Sequence, residues 1–207
     1  MLILFDLDGT LIDPIDGVIR SIDYVTNYLK LPNISREVIR TFIGPPIFNS
    51  LKNTLELSDK DAALATKLFR NIYKQNFLYN ASVYDNISLL LEKIHNSTNK
   101  IAVATYKRQE HAELILKYFG LSNYFDFIQG SDAEGKWCKA DIIKLCLEYF
   151  SMKNALMIGD TLHDEKAAKD LGIDFISVSW GYGFKKNEAM VHSVAELIDF
   201  LYNKKII

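Results

Sequence analysis

A chain of 207 residues, 49% apolar and 24% charged, is long enough for one sizeable core plus a small accessory unit, in an ordinary soluble composition. Its net charge of −2 leaves no global basic field to draw in nucleic acid, and two cysteines, Cys138 and Cys146, are too few for a disulfide framework or a metal set. No leader pattern precedes the first strand and no apolar run approaches the ~18 residues of a membrane span, so the expectation is a cytoplasmic protein with neither membrane nor nucleic-acid partners.

The first element, Ile3-Leu4-Phe5, reads as an apolar strand that runs into Asp6-Leu7-Asp8-Gly9. In extended chain the side-chain period is two, so Asp6 and Asp8 leave on the same side. Two carboxylates this close repel each other, and the site calls for a cation or a shared proton. With a hard divalent cation and a phosphate ester, one carboxylate can attack as nucleophile while the other handles protons.

The pattern then turns helical. Asp16 to Lys30 carries Val18, Ile19, Ile22, Val25 and Leu29 at helical spacing, and Pro32 ends it. Ser35 is placed to cap a short helix from Arg36 to Phe42. Gly44-Pro45-Pro46 breaks the chain, and a further helix starts at Pro46. Ser58 is placed to cap a helix from Asp59 to about Tyr79. Nothing between Pro14 and Ala81 reads as a strand, so residues 14–81 are predicted to be an all-helical insertion that divides the main domain into 1–13 and 82–207.

From Tyr84 strands and helices alternate. Helices are predicted at Asn86–His95, Glu110–Phe119, Ala140–Phe150, Glu165–Leu171 and Val194–Tyr202. Strands are predicted at Ile101–Ala104, Phe125–Ile128, Ala155–Ile158 and Phe175–Val178. Such alternation gives an α/β fold with a doubly wound parallel sheet, a Rossmann-like core, here carrying a small helical cap after the first strand. Ligands bind such sheets at the carboxyl ends of the strands.

Three further segments fall at those ends. Thr105, in Ala104-Thr105-Tyr106-Lys107, can hold phosphate oxygens through its hydroxyl and the amides that follow, or can cap the next helix. A lysine near the start of the helix at Ala140, Lys139 or Lys136, would supply the fixed positive charge that several carboxylates and a dianionic ester require. Asp160 and Asp164, in Gly159-Asp160-Thr161-Leu162-His163-Asp164, face one way if a helical turn begins there, an oxygen-donor arrangement that suits Mg²⁺. His163, between them, points away on the helix surface.

These four segments, in this order, resemble the haloacid dehalogenase superfamily of phosphohydrolases along the whole chain. Asp6-Leu7-Asp8-Gly9-Thr10-Leu11 matches its first motif, Thr105 the second, Lys139 the third, and Gly159-Asp160 with Asp164 the fourth. Lys139-Ala140-Asp141-Ile142-Ile143, Trp180-Gly181-Tyr182-Gly183 and Gly44-Pro45-Pro46 look like the phosphoglycolate-phosphatase-like branch. The resemblance implies a Mg²⁺-dependent phosphatase acting on a small-molecule phosphate ester, as a monomer or homodimer. It implies Asp6 as nucleophile, Asp8 as general acid/base, and Thr105 and Lys139 as the groups that hold the phosphoryl. Mg²⁺ would be held by Asp6, the Asp8 carbonyl and Asp160, with Asp164 nearby. The family commonly has Ser or Asn after the second-motif threonine, where this chain has Tyr106. Competing readings are a phosphosugar mutase or pyrophosphatase of the same superfamily, a dehalogenase, and a non-catalytic phosphate-binding domain.

Overall fold

A computed structural model describes residues 1–132, 136–184 and 190–207. The chain divides into two compact units, Met1–Asp13 with Val83–Ile207, and Pro14–Ser82.

The strands are β1 (Leu2–Phe5), β2 (Ile12–Asp13), β3 (Ser82–Val83), β4 (Lys100–Arg108), β5 (Phe127–Ser131), β6 (Ala155–Gly159) and β7 (Asp174–Ser177). Five of them form a sheet in the order β5-β4-β1-β6-β7, and every pairing in it is parallel. β1 lies at the centre and all four of its residues are fully buried, which is why it reads as a continuous apolar run and not as an alternation. From β1 the chain builds outward through β4 and β5, then returns to the other side of β1 for β6 and β7. The order therefore reverses beside β1, where a doubly wound sheet opens its crevice.

The helical unit contains α1 (Ile15–Leu29), α2 (Arg36–Arg40), α3 (Ile47–Thr54) and α4 (Asp59–Ile72). Ser35 and Ser58 both accept the amide three residues on, at 3.4 and 3.2 Å, as N-caps should. α4 does not run to Tyr79 as one α-helix, because Tyr73–Phe77 widens into a π-helical turn. A change from four- to five-residue hydrogen bonding leaves the apolar spacing nearly intact, so periodicity does not register it.

The α/β unit carries α5 (Ile87–His95), α6 (Gln109–Tyr118), α7 (Lys139–Phe150), α8 (Leu162–Leu171) and α9 (Val194–Asn203). Leu2, Leu4, Ala102 and Met157 of the sheet pack with Ile142, Ile143 and Cys146 of α7 and Ala167 and Ala168 of α8. β2 and β3 were not expected, β6 and β7 differ by a residue at their ends, and the larger departures are in β5 and β4. β5 starts at Phe127, not Phe125, and β4 continues four residues beyond Ala104. Pairing resumes past a register shift with Arg108 opposite Ser131, and Thr105, Tyr106 and Lys107 lie in the irregular stretch between, a polar run that hydrophobicity reads as loop. Among the described residues no helix is long and apolar enough to cross a membrane.

Candidate active site

Asp6 follows β1, and Asp160 follows β6, the strand hydrogen-bonded to it. Asp164 is the third residue of α8, where its carboxylate accepts the Thr161 amide and hydroxyl at 3.1 and 2.6 Å. That is a capping arrangement, and it fixes the side chain at the helix start. Asp6, Asp160 and Asp164 each offer an oxygen within 4.8 Å of the others, and all three are buried.

The loop after β1 and the segment after β7 hold this cluster. Thr10 donates its hydroxyl to Asp160 at 3.1 Å, and the Tyr182 amide donates to the other Asp160 oxygen at 2.7 Å. The Trp180 indole N–H reaches the Thr10 carbonyl at 3.1 Å. Gly9 has φ +89°, and a Cβ there would run into the Asp160 carboxylate, so glycine is required both for the turn and for the approach of the acid.

Lys139, at the first position of α7, is 3% exposed and lies 2.7 Å from both Asp6 Oδ1 and Asp164 Oδ1. Lys136 is exposed and instead gives its backbone amide to Asp132. Of the two lysines the sequence left open, it is Lys139 that the fold brings to the acids. Burial works against a charged Lys139, but Asp164 and Asp6 outweigh it and hold the ammonium above its ordinary range.

Asp8 does not join the cluster. β1 ends at Phe5, and the Asp8 side chain meets the Lys107 ammonium with both oxygens, at 2.9 and 2.8 Å. Burial pushes the Asp8 carboxyl above its usual range, against the opposing charge and hydrogen bonds of Lys107. Lys107 was not singled out in the sequence. No pattern in the sequence pointed to it, since it lies in the stretch where β4 departs from regular pairing. Thr105 is buried, and its hydroxyl oxygen accepts the Lys107 amide at 3.2 Å, so it caps no helix. Tyr106, between them, accepts the Lys139 amide on its hydroxyl at 3.0 Å. His163 is exposed, with its ring edge-on to Tyr106 at 5.6 Å.

The donor set fits a hard divalent cation. Of the three buried carboxylates the ammonium meets two, Asp6 and Asp164, and burial followed by the Asp6 charge pushes Asp160 up to about 7, against the Tyr182 amide. Burial raises Asp164 as well, against the Lys139 charge, the one cation that meets its Oδ1 among the described residues. A second positive charge among all-oxygen ligands would relieve each of these.

The model of haloacid dehalogenase-like hydrolases matches residues 3–178. The chain belongs to that family. It is 33% identical over 195 residues to a 5'-nucleotidase of Pseudomonas aeruginosa, covering 92% of this chain and 87% of that protein. It is 32% identical over 184 residues to a phosphoglycolate phosphatase of Aquifex aeolicus, covering 87% and 85%. The crystal structure of a predicted phosphatase from Clostridium acetobutylicum superposes with a TM-score of 0.91 at 31% identity, over 98% of each chain. As a haloacid dehalogenase-like hydrolase, this protein carries its acids at the carboxyl ends of adjacent parallel strands.

Proposed function

We propose that the protein is a Mg²⁺-dependent phosphatase that hydrolyses a small phosphomonoester through an aspartyl-phosphate on Asp6, in the manner of phosphoglycolate phosphatases. The observation that carries this reading is the buried triad of Asp6, Asp160 and Asp164 with Lys139 bridging Asp6 and Asp164. Asp6, Asp160 and Asp164, with the Asp8 carbonyl, would hold Mg²⁺, which when bound neutralises charge on the phosphoryl oxygens.

An Asp6 carboxylate oxygen attacks phosphorus, and the bond from phosphorus to the ester oxygen breaks. Asp8 gives its proton to the departing oxygen, which leaves as the alcohol. Thr105 donates its hydroxyl and Lys139 its ammonium to the phosphoryl oxygens as charge builds on them. Asp8, now ionised, takes a proton from water. The water oxygen bonds to phosphorus, and the bond between phosphorus and Asp6 breaks, releasing inorganic phosphate and the Asp6 carboxylate. The relatives named a 5'-nucleotidase and a phosphoglycolate phosphatase support a small soluble ester as substrate. The helical unit contributes none of these residues, and choice among esters is assigned to it.

The test is a panel of phosphoglycolate, nucleoside monophosphates, sugar phosphates, pyrophosphate and an aryl phosphate, run with Mg²⁺ and in chelator. Hydrolysis is expected only with Mg²⁺, and Asp6→Asn, checked for folding and for deamidation, is expected to abolish it. Turnover in chelator, or by a folded Asp6→Asn protein, defeats the proposal. A product phosphorylated at a new position would indicate the mutase instead.

A further inference from the structure

We infer that Tyr106 is a positioning residue for Lys139, fixing from β4 the place from which the lysine ammonium reaches the acid cluster. The inference deepens the phosphatase reading, since it takes Lys139 as the cation that meets the phosphoryl group.

Three contacts carry it. The Tyr106 hydroxyl accepts the backbone N–H of Lys139 at 3.0 Å, across 33 positions of sequence. That amide lies in the first turn of α7, where a helix has no carbonyl of its own to offer. Tying it to β4 fixes the helix start relative to the sheet. The Tyr106 ring centroid lies 5.7 Å from Lys139 Nζ, within cation–π range. The same ring meets His163 edge-on at 5.6 Å, and His163 is the residue before Asp164. One side chain thus touches both ends of Lys139 and the element that carries its partner Asp164.

The physical need arises in turnover. Without substrate the ammonium is fixed by Asp6 and Asp164 at 2.7 Å. When Asp6 bonds to phosphorus, its carboxylate charge is lost to the lysine, which must turn to the phosphoryl oxygens. Lysine has four side-chain torsions, and misplacing its head loses the gain from orientation. The hydrogen bond from the Lys139 amide to the Tyr106 hydroxyl involves no reacting atom and does not depend on where the ammonium turns. A phenylalanine would keep the ring and lose the amide anchor, and a leucine would lose both.

The experiment uses Tyr106→Phe and Tyr106→Leu in the full chain with Mg²⁺. It measures the inhibition constant of inorganic phosphate against an aryl phosphate, the Mg²⁺ concentration for half-maximal rate, and the melting temperature. One neutral hydrogen bond sets the expected scale, so Tyr106→Phe should weaken phosphate about threefold to tenfold. Tyr106→Leu should weaken it further, with the Mg²⁺ requirement within about twofold of wild type in both. A ring that only fills space would lower the melting temperature and leave phosphate inhibition alone, and that result overturns the inference. Equal weakening of phosphate and Mg²⁺ overturns it too, since it would mean general disruption. If Tyr106→Leu fails to fold, Tyr106→Phe decides alone. A wild-type protein with no Mg²⁺-dependent hydrolysis defeats the phosphatase reading and this inference with it, whereas unchanged phosphate inhibition in an active enzyme defeats this inference only.

Discussion

Lys107 supplies at Asp8 a charge that the sequence did not advertise. Its side chain is 6% exposed and that of Asp8 20%, so each would be costly to bury without the other. Removing the ammonium takes away the main charge that opposes burial and drives the Asp8 carboxyl further up. The second step needs Asp8 ionised, and a higher pKa moves the rising limb of the pH–rate profile to higher pH. Lys107→Met is therefore expected to lower kcat at pH 7 about tenfold and shift that limb upward, with Lys107→Arg closer to wild type. A pH–rate series on the three proteins checks it, and an unshifted limb in Lys107→Met would count against the pair. Asp6, Asp160 and Asp164 were legible because each acid follows a buried strand or opens a helix, positions where a stray carboxylate is unusual. Lys107 was not, because a lysine after an apolar strand looks like any solvated charge until the strand is seen to continue past it.

Among the elements, the helices and the central strands were legible to within a few residues, since apolar period and caps report burial directly. What escaped notice is held by backbone pairing or by a change of hydrogen-bond pitch: the extension of β4 to Arg108 and the π turn at Tyr73–Phe77. Side-chain pattern carries little trace of either. In the helical unit, Gly44 has φ +102°, in the break between α2 and α3. An alanine there is strained, and the break shifts with it. If that unit chooses the ester, Gly44→Ala and substitutions at Pro45 or Pro46 should reorder kcat/KM across the substrate panel by about fivefold or more. The Mg²⁺ requirement should stay put, because every candidate ligand belongs to the other unit. An unaltered ranking would sink the assignment.

For the whole molecule, the acid cluster is a stability cost that the proposed cation would remove. Asp160 lies near 7 when folded against 3.8 for an ordinary aspartate, so the metal-free fold binds a proton that the unfolded chain releases. Stability from this group is full below about pH 4 and is lost as pH rises towards 7, a loss of order a few kcal/mol. In chelator the melting temperature is expected to fall between pH 5 and pH 7.5, and Mg²⁺ should raise it more at pH 7.5 than at pH 5. Differential scanning fluorimetry at the two pH values is sufficient, and equal Mg²⁺ effects at both would contradict the account. The doubly wound order was expected from strand–helix alternation, and so was a need for positive charge among the acids, but not that the burden falls on Asp160, 154 positions from Asp6, since its burial exists only in the folded chain. β2 and β3 pair with each other as a separate two-stranded ribbon. The chain leaves for the helical unit through Ile12–Asp13 and returns through Ser82–Val83, its two ends already side by side. Excision of the intervening residues, with a short turn to join the ribbon, would ask no strand of the main sheet to move. Such a junction makes the helical unit an exchangeable cassette, open to grafting from a relative without rebuilding the scaffold that bears the acids.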